Sequence, residues 1–160
     1  FDENDVRPMG RNARGVRGMM LEDGQSVIAM LVAEDEQQSV LTATANGYGK
    51  RTSITEYTRH GRGTKGMIAI QQSERNGKVV AATLVHTDDE IMLITDRGVL
   101  VRTRVAEIRE LGRATQGVTL ISLDDGTKLS GLQRIVENDA NAQGGEGEND
   151  TDADAEPAAD

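Results

Sequence analysis

Apolar residues along this chain come in short runs, the longest being the seven residues 27–33, and each run is closed by turn-forming residues. Short runs rich in Val, Ile, Leu and Thr, bounded by Gly, Asn and Asp, have the pattern of β-strands rather than helices. Between 65 and 104 the pattern predicts strands over Lys65–Ile70, Val79–Val85, Glu90–Thr95 and Val99–Arg104. Asn76-Gly77, Asp88-Asp89 and Asp96-Arg97-Gly98 mark the turns between them. An earlier stretch carries the same series: Val16–Leu21, Val27–Val32, Ser39–Thr44 and Tyr48–Ser53. Ile54–Tyr57 and Val105–Ile108 have the length of single helical turns.

The two series are copies. Gly10-Arg11-Asn12-Ala13-Arg14-Gly15-Val16, Gly61-Arg62-Gly63-Thr64-Lys65-Gly66-Met67 and Gly112-Arg113-Ala114-Thr115-Gln116-Gly117-Val118 align without gaps, each 51 residues from the next. The same offset relates Asp5, Glu56 and Glu107, and pairs Thr44 with Thr95, Gly47 with Gly98, Arg51 with Arg102 and Thr52 with Thr103. A repeat of four short strands in roughly 50 residues has the size of a propeller-type blade. The predicted fold is all-β, with each copy supplying one four-stranded blade. Because the last copy stops near Val136 and a partial set of blades leaves edges unpaired, the chain reads as part of a larger ring.

Composition narrows the chemistry. There is no Cys, so a disulfide framework, a thiolate metal site and a Cys nucleophile are excluded, and two His make a His-rich metal cluster implausible. No apolar run approaches the roughly 18 residues of a spanning helix, and the acidic start at Asp2, Glu3 and Asp5 is unlike a signal peptide. A soluble protein of a reducing compartment is expected. Gly61-Arg62-Gly63-Thr64-Lys65-Gly66 spells G-x-G-x-x-G, but a strand is predicted after it where a dinucleotide site needs a helix, and the aligned copies lack the middle Gly. His60 aligns with Met9 and Leu111, and Tyr48 and Tyr57 align with Val99 and Ile108, which points to packing positions. His86, beside Thr87-Asp88-Asp89, reads as a surface residue at a turn.

What recurs is positive charge. All 18 Lys and Arg lie at or before Arg134, balanced over 1–136 by 18 acids, so the net charge of −9 belongs to the segment after Val136. The Gly-flanked loop carries Arg11, Arg14 and Arg17 in the first copy, Arg62 and Lys65 in the second, and Arg113 in the third. The fourth strand carries Lys50 and Arg51, then Arg102 and Arg104. Blades would bring these to one radius as a basic stripe, and flanking glycines would let a backbone approach a phosphodiester and expose N–H donors beside the Arg. Contact of that kind holds a duplex without reading its sequence. Two other readings stay open on the residues alone: glycines that only make turns with Arg paired to the body's acids, or a kelch-like propeller that binds a peptide.

Gly10-Arg11 through Gly15-Val16, Asn46-Gly47-Tyr48-Gly49-Lys50-Arg51-Thr52, Ile94-Thr95-Asp96-Arg97-Gly98-Val99-Leu100-Val101-Arg102-Thr103-Arg104-Val105 and Gly131-Leu132-Gln133-Arg134 resemble the C-terminal domain of bacterial DNA gyrase A, from Phe1 to about Val136. The related C-terminal domain of topoisomerase IV is the near alternative. The resemblance implies a six-bladed β-pinwheel that wraps double-stranded DNA around a basic rim, with residues 1–136 holding about the last three blades. It also implies a non-catalytic portion of a type II topoisomerase that supports ATP-dependent negative supercoiling. The cleavage Tyr and the ATPase lie outside the chain, which would hold no cofactor; ATP and magnesium serve elsewhere in the enzyme. The implied partners are the rest of gyrase A together with gyrase B, in an A2B2 heterotetramer on the bacterial chromosome in the cytoplasm. The Gln/Arg/Gly-rich box of such a domain's first blade is absent from this sequence.

Residues 137–160 hold nine acids and no Val, Ile, Leu, Met or aromatic residue. Such a segment cannot bury enough apolar surface to offset the entropy of ordering it, so disorder is expected. It reads either as a solubilising tail or as a polyanion that competes for the basic surface. Asp150, Asp152 and Asp154 alternate as in a calcium loop, but the required Gly and Glu are missing. Deleting 137–160 is expected to strengthen duplex binding in a low-salt gel-shift titration; an unchanged affinity would leave solubility as its role.

Overall fold

A computed structural model describes residues 1–136; the acidic segment lies outside the described residues. Seven strands form: β1 (Ser39–Thr44), β2 (Tyr48–Ser53), β3 (Val79–Val85), β4 (Glu90–Thr95), β5 (Leu100–Arg104), β6 (Val118–Thr119) and β7 (Leu129–Ile135). They make two antiparallel sheets, ordered β3-β1-β2-β6 and β5-β4-β7. Single 3-10 turns follow β2 and β5 at Ile54–Glu56 and Val105–Glu107, where helical turns were predicted. Among the described residues no helix is long and apolar enough to cross a membrane.

The sheets differ from the prediction of one blade per repeat. β1 and β2 come from the first copy, β3 from the second and β6 from the third, so the first sheet draws on three repeats. The second sheet combines β4 and β5 of the second copy with β7 of the third. Within the first sheet a tight turn joins only β1 to β2. The long connection over 54–78 then carries the chain to the far edge of β1, where β3 pairs in register from Ser39↔Val85 to Ala43↔Ala81. The spacing also contracts: β7 begins 50 residues after β3, against the 51 that separate β4 from β1.

Three predicted strands do not form. Val16–Leu21, Val27–Val32 and Lys65–Ile70 pair with no strand among the described residues and run without ladders. In the first two segments apolar side chains stay out, Met30 at 86% exposure and Val32 at 71%, whereas Ile70 of the third is buried.

The core lies between the two sheets. Leu41, Ala43 and Val85 of the first pack with Ile91, Leu93 and Leu129 of the second, and Val105 and Ile108 close one end. Full burial of each large aliphatic chain contributes about 1.5–3 kcal/mol.

Glycine sets how closely β2 meets the third copy. A Cβ on Gly49 would overlap the Thr42 carbonyl and lie 2.5 Å from Leu120 Cδ1. Gly117 has φ +84°, and a Cβ there would sit 2.5 Å from the Gly49 carbonyl oxygen. Gly98 also has positive φ, +80°, but faces open space. Gly49→Ala and Gly117→Ala are each expected to cost about 1–3 kcal/mol through overpacking, and Gly98→Ala about 1–2 kcal/mol from backbone strain alone. Urea midpoints check this; an unchanged midpoint for Gly49→Ala would contradict the close approach.

Candidate nucleic-acid interface

The ten basic residues singled out by the repeat fall into four environments. Arg11, Arg14 and Arg17 are exposed, and their guanidinium groups meet no partner among the described residues. Lys65 is exposed and pairs with Glu22 at 2.8 Å. Arg102 donates through Nε to Glu90 Oε2 at 2.5 Å, and Arg104, whose side chain is 73% exposed, lies 3.8 Å from the same carboxylate. These ion pairs are solvent-exposed and weak, so they hold the side chains loosely.

Arg62 and Arg113 are used differently. Arg62 donates from Nη1 to the Arg17 carbonyl at 2.9 Å and from Nε to the Asp5 carbonyl at 3.2 Å. Arg113 donates from Nη1 to the Ile68 carbonyl at 2.9 Å, and Ile68 is the repeat equivalent of Arg17. The recurring Arg thus ties its own loop to the preceding copy. Carbonyl acceptors leave the guanidinium charge uncancelled, so this role is compatible with a positive rim. Arg51, half-buried, donates to the Ile108 carbonyl at 2.7 Å and to Thr87 Oγ1 at 3.0 Å.

Lys50 does not sit on a rim. Its side chain is fully buried on β2, and its ammonium donates to the Gly112 carbonyl at 2.5 Å, to the Arg113 carbonyl and to Thr115 Oγ1 at 3.1 Å. Three N–H donors thus meet three acceptors, so the predicted phosphate contact at Lys50 gives way to an internal one. Burial lowers its pKa from the ordinary lysine value, the Glu56 carboxylate opposes that shift, and the Arg113 charge adds to it.

Around Lys50 most of the carbonyls from Leu111 to Gly117 are held. Thr52 Oγ1 donates to the Leu111 carbonyl at 2.9 Å, the Gln71 amide to that of Thr115 at 2.9 Å, Asn76 Nδ2 to that of Gln116 at 2.6 Å, and Arg75 Nη2 to that of Gly117 at 3.4 Å. The Arg113 amide donates to Glu56 Oε2 at 2.9 Å. Asn76 was legible only as half of an Asn-Gly turn, and nothing in the local pattern marked it as a fully buried strut. Arg75, which also lies 4.5 Å above the Tyr48 ring, was likewise outside the recurring set.

Other chemistry finds little support. His86 stands between two carboxylates, Nε2 3.2 Å from Asp35 Oδ2 and Nδ1 3.9 Å from Asp89 Oδ2. Tyr57 Oη is buried without a hydrogen-bond partner, and burial raises its pKa, the opposite of an activated nucleophile. Among the described residues no cluster of three or more His, Asp or Glu is placed to hold a metal ion.

A family model described as the DNA gyrase C-terminal domain, β-propeller, matches residues 1–34, 38–86 and 89–135. DNA gyrase A of Neisseria gonorrhoeae is 52% identical over 146 residues, covering 89% of this chain and 16% of that protein. DNA gyrase A of Escherichia coli strain K12 is 51% identical over 137 residues, covering 86% of this chain and 16% of its own length. This chain therefore spans under a fifth of these relatives. A solved DNA gyrase A C-terminal domain superposes with a TM-score of 0.77 at 30% identity, over 84% of this chain and 45% of that one. The C-terminal domain of DNA topoisomerase IV superposes with a TM-score of 0.78 at 22% identity, over 84% of this chain and 42% of that one, a likeness of fold alone.

The two kinds of Arg separate by stability. Arg62→Ala and Arg113→Ala are each expected to cost about 0.5–1.5 kcal/mol through lost hydrogen bonds, while Arg11→Ala stays within about 0.5 kcal/mol of the parent. Urea unfolding followed by circular dichroism measures both.

Proposed function

We propose a role in DNA wrapping on the following premise: this chain belongs to the DNA gyrase C-terminal domain family, whose model it matches along nearly all of residues 1–135. It binds double-stranded DNA without sequence specificity and bends it with a defined hand around a basic rim. In the assembled enzyme this feeds negative supercoiling driven by ATP. Residues 1–136 then correspond to about the last three blades of a six-bladed ring. Cleavage and ATP hydrolysis belong to other parts of the enzyme, so the chain serves as a non-catalytic portion of gyrase A. Its partners are the remainder of gyrase A, gyrase B in an A2B2 assembly, and the chromosome in the bacterial cytoplasm.

The observation that carries this reading is the exposed basic series Arg11, Arg14, Arg17, Arg62, Lys65 and Arg104, spread over successive repeats. Fixed charges on a stacked scaffold recur at a regular step, and a duplex offers phosphates at a regular step. Residues of this kind contact the phosphodiester backbone, which positions a duplex and carries no sequence information. Arg51, Arg102 and Arg113 add potential from behind the rim, their charge held by carbonyls or by Glu90.

Binding of a random-sequence duplex is expected to fall linearly in log affinity with log salt, by about 0.9 per phosphate neutralised. Replacing Arg11, Arg14 and Arg17 together by Ala should flatten that slope by about 0.9 for each phosphate no longer neutralised. Fluorescence anisotropy across a salt series measures it; a slope that the triple variant leaves unchanged would remove these residues from the interface.

A further inference from the structure

β6 passes over a nearer partner. Only 13 residues, 105–117, separate it from β5, whereas 64 residues, 54–117, separate it from β2. β5 also has an open edge, because among the described residues it pairs with β4 alone. Folding β6 back onto β5 would close a long-loop hairpin, and chain entropy favours the shorter loop roughly tenfold. β6 nevertheless pairs with β2, through Tyr48↔Thr119 and Gly49↔Val118. Something in the two edges decides between them.

The repeat sets the edges side by side. Tyr48-Gly49-Lys50-Arg51-Thr52-Ser53 aligns with Val99-Leu100-Val101-Arg102-Thr103-Arg104. Arg51 and Thr52 hold the approach to the third-copy loop: the Leu111 amide donates to the Arg51 carbonyl at 2.9 Å, and Thr52 Oγ1 donates to the Leu111 carbonyl at 2.9 Å. Both residue types recur at Arg102 and Thr103, so they do not distinguish the edges. Ser53 bonds to Thr55 in its own turn, and Tyr48 lies under Arg75.

The differences that bear on β6 are Gly49 against Leu100 and Lys50 against Val101. A Cβ at position 49 would overlap the Thr42 carbonyl and lie 2.5 Å from Leu120 Cδ1, so the third copy seats only where that side chain is missing. Leu100 presents a full side chain at the same place, 60% exposed. Lys50 is fully buried and gives its three donors to the Gly112 and Arg113 carbonyls and to Thr115 Oγ1. Val101 has no donor to give.

We propose that Gly49 and Lys50 are a partner-selecting pair that draws the third copy to β2, while Leu100 and Val101 exclude it from the nearer edge of β5. Burying a charge is costly unless it is hydrogen-bonded. Lys50 therefore favours the one arrangement that brings it all three acceptors, and any other neighbour for β2 leaves it stranded. A single buried polar residue fixes strand register in coiled coils by the same logic. The selection stands apart from DNA contact; it decides which sheet carries the Gly112–Gly117 loop.

The chain has no Cys, so an engineered pair reports one contact. Facing Cα atoms of an antiparallel ladder lie about 4.5–5.5 Å apart, within the span of a disulfide. In a glutathione redox buffer the whole chain carrying Tyr48→Cys with Thr119→Cys is expected to oxidise readily. The chain carrying Val99→Cys with Thr119→Cys is expected to stay reduced. Adding Lys50→Met should reverse that order, the 99–119 disulfide forming roughly tenfold faster than the 48–119 one, as the loop lengths dictate, with the far-ultraviolet circular dichroism of strands retained. Leu100→Gly, which keeps Lys50 and opens the competing edge, is expected to yield both disulfides side by side, and it decides the matter should the Lys50→Met chain lose its strand signal. A 99–119 disulfide absent from both variants would overturn the selection, and so would its ready formation in the parent.

Discussion

Every hairpin in this chain is born with two open edges, and the need to close them with strands from later repeats organises the rest of the structure. β1 and β2 satisfy each other across five residue pairs, yet each still presents a row of unpaired N–H and C=O groups on its outer side. Buried backbone groups left in that state cost free energy comparable to a lost hydrogen bond. β3 from the second copy covers β1, and β6 from the third covers β2. The repeats are thereby interlocked, because removing any one of them opens an edge in a sheet whose other strands lie elsewhere. β5 has a partner on one side only, and Leu100 at its open edge is 60% exposed, as the same rule requires of a hairpin not yet closed.

Interlocking also decides where the loops go. β6 can reach β2 only if the Gly-flanked loop before it is drawn against the β2 strand, and Gly49 and Gly117 make that approach possible by carrying no Cβ at the contact. Once there, the carbonyls of Leu111, Gly112 and Arg113 face the side of the strand that offers Lys50 and Thr52. The basic fourth strand and the glycine loop, which look in sequence like two separate basic features, are therefore the two halves of one joint. Arg62 and Arg113 extend the same joint backward to the preceding copy.

Much of the fold was legible in the chain because short apolar runs and turn residues are local signals. β1, β2, β3 and β4 match their predicted ranges, and β5 begins one residue later. The misplaced strands share one cause. Val16–Leu21, Val27–Val32 and Lys65–Ile70 carry strand-forming residues, but a strand is defined by its partner, and composition says nothing about whether that partner lies in the same chain. The assignment of four strands to one copy failed for a related reason. Periodicity gives the order of elements but not which neighbours they pair with, and the loop over 54–78 is long enough to reach either side of the hairpin.

The site was legible in outline and not in detail, and Lys50 shows why. A repeat aligns residues by position, so a basic residue beside Arg51 and near Arg102 reads as one more member of a surface stripe. Along a strand, however, successive side chains point to opposite faces. Lys50 and Arg51 cannot both face the rim, and the third repeat's loop occupies the side toward which Lys50 points. Its repeat equivalent is Val101, an apolar residue packed against the core, which is the one sign in the sequence that position 50 faces inward. A positive charge placed there does not advertise itself to DNA; it holds the loop of the third repeat against β2.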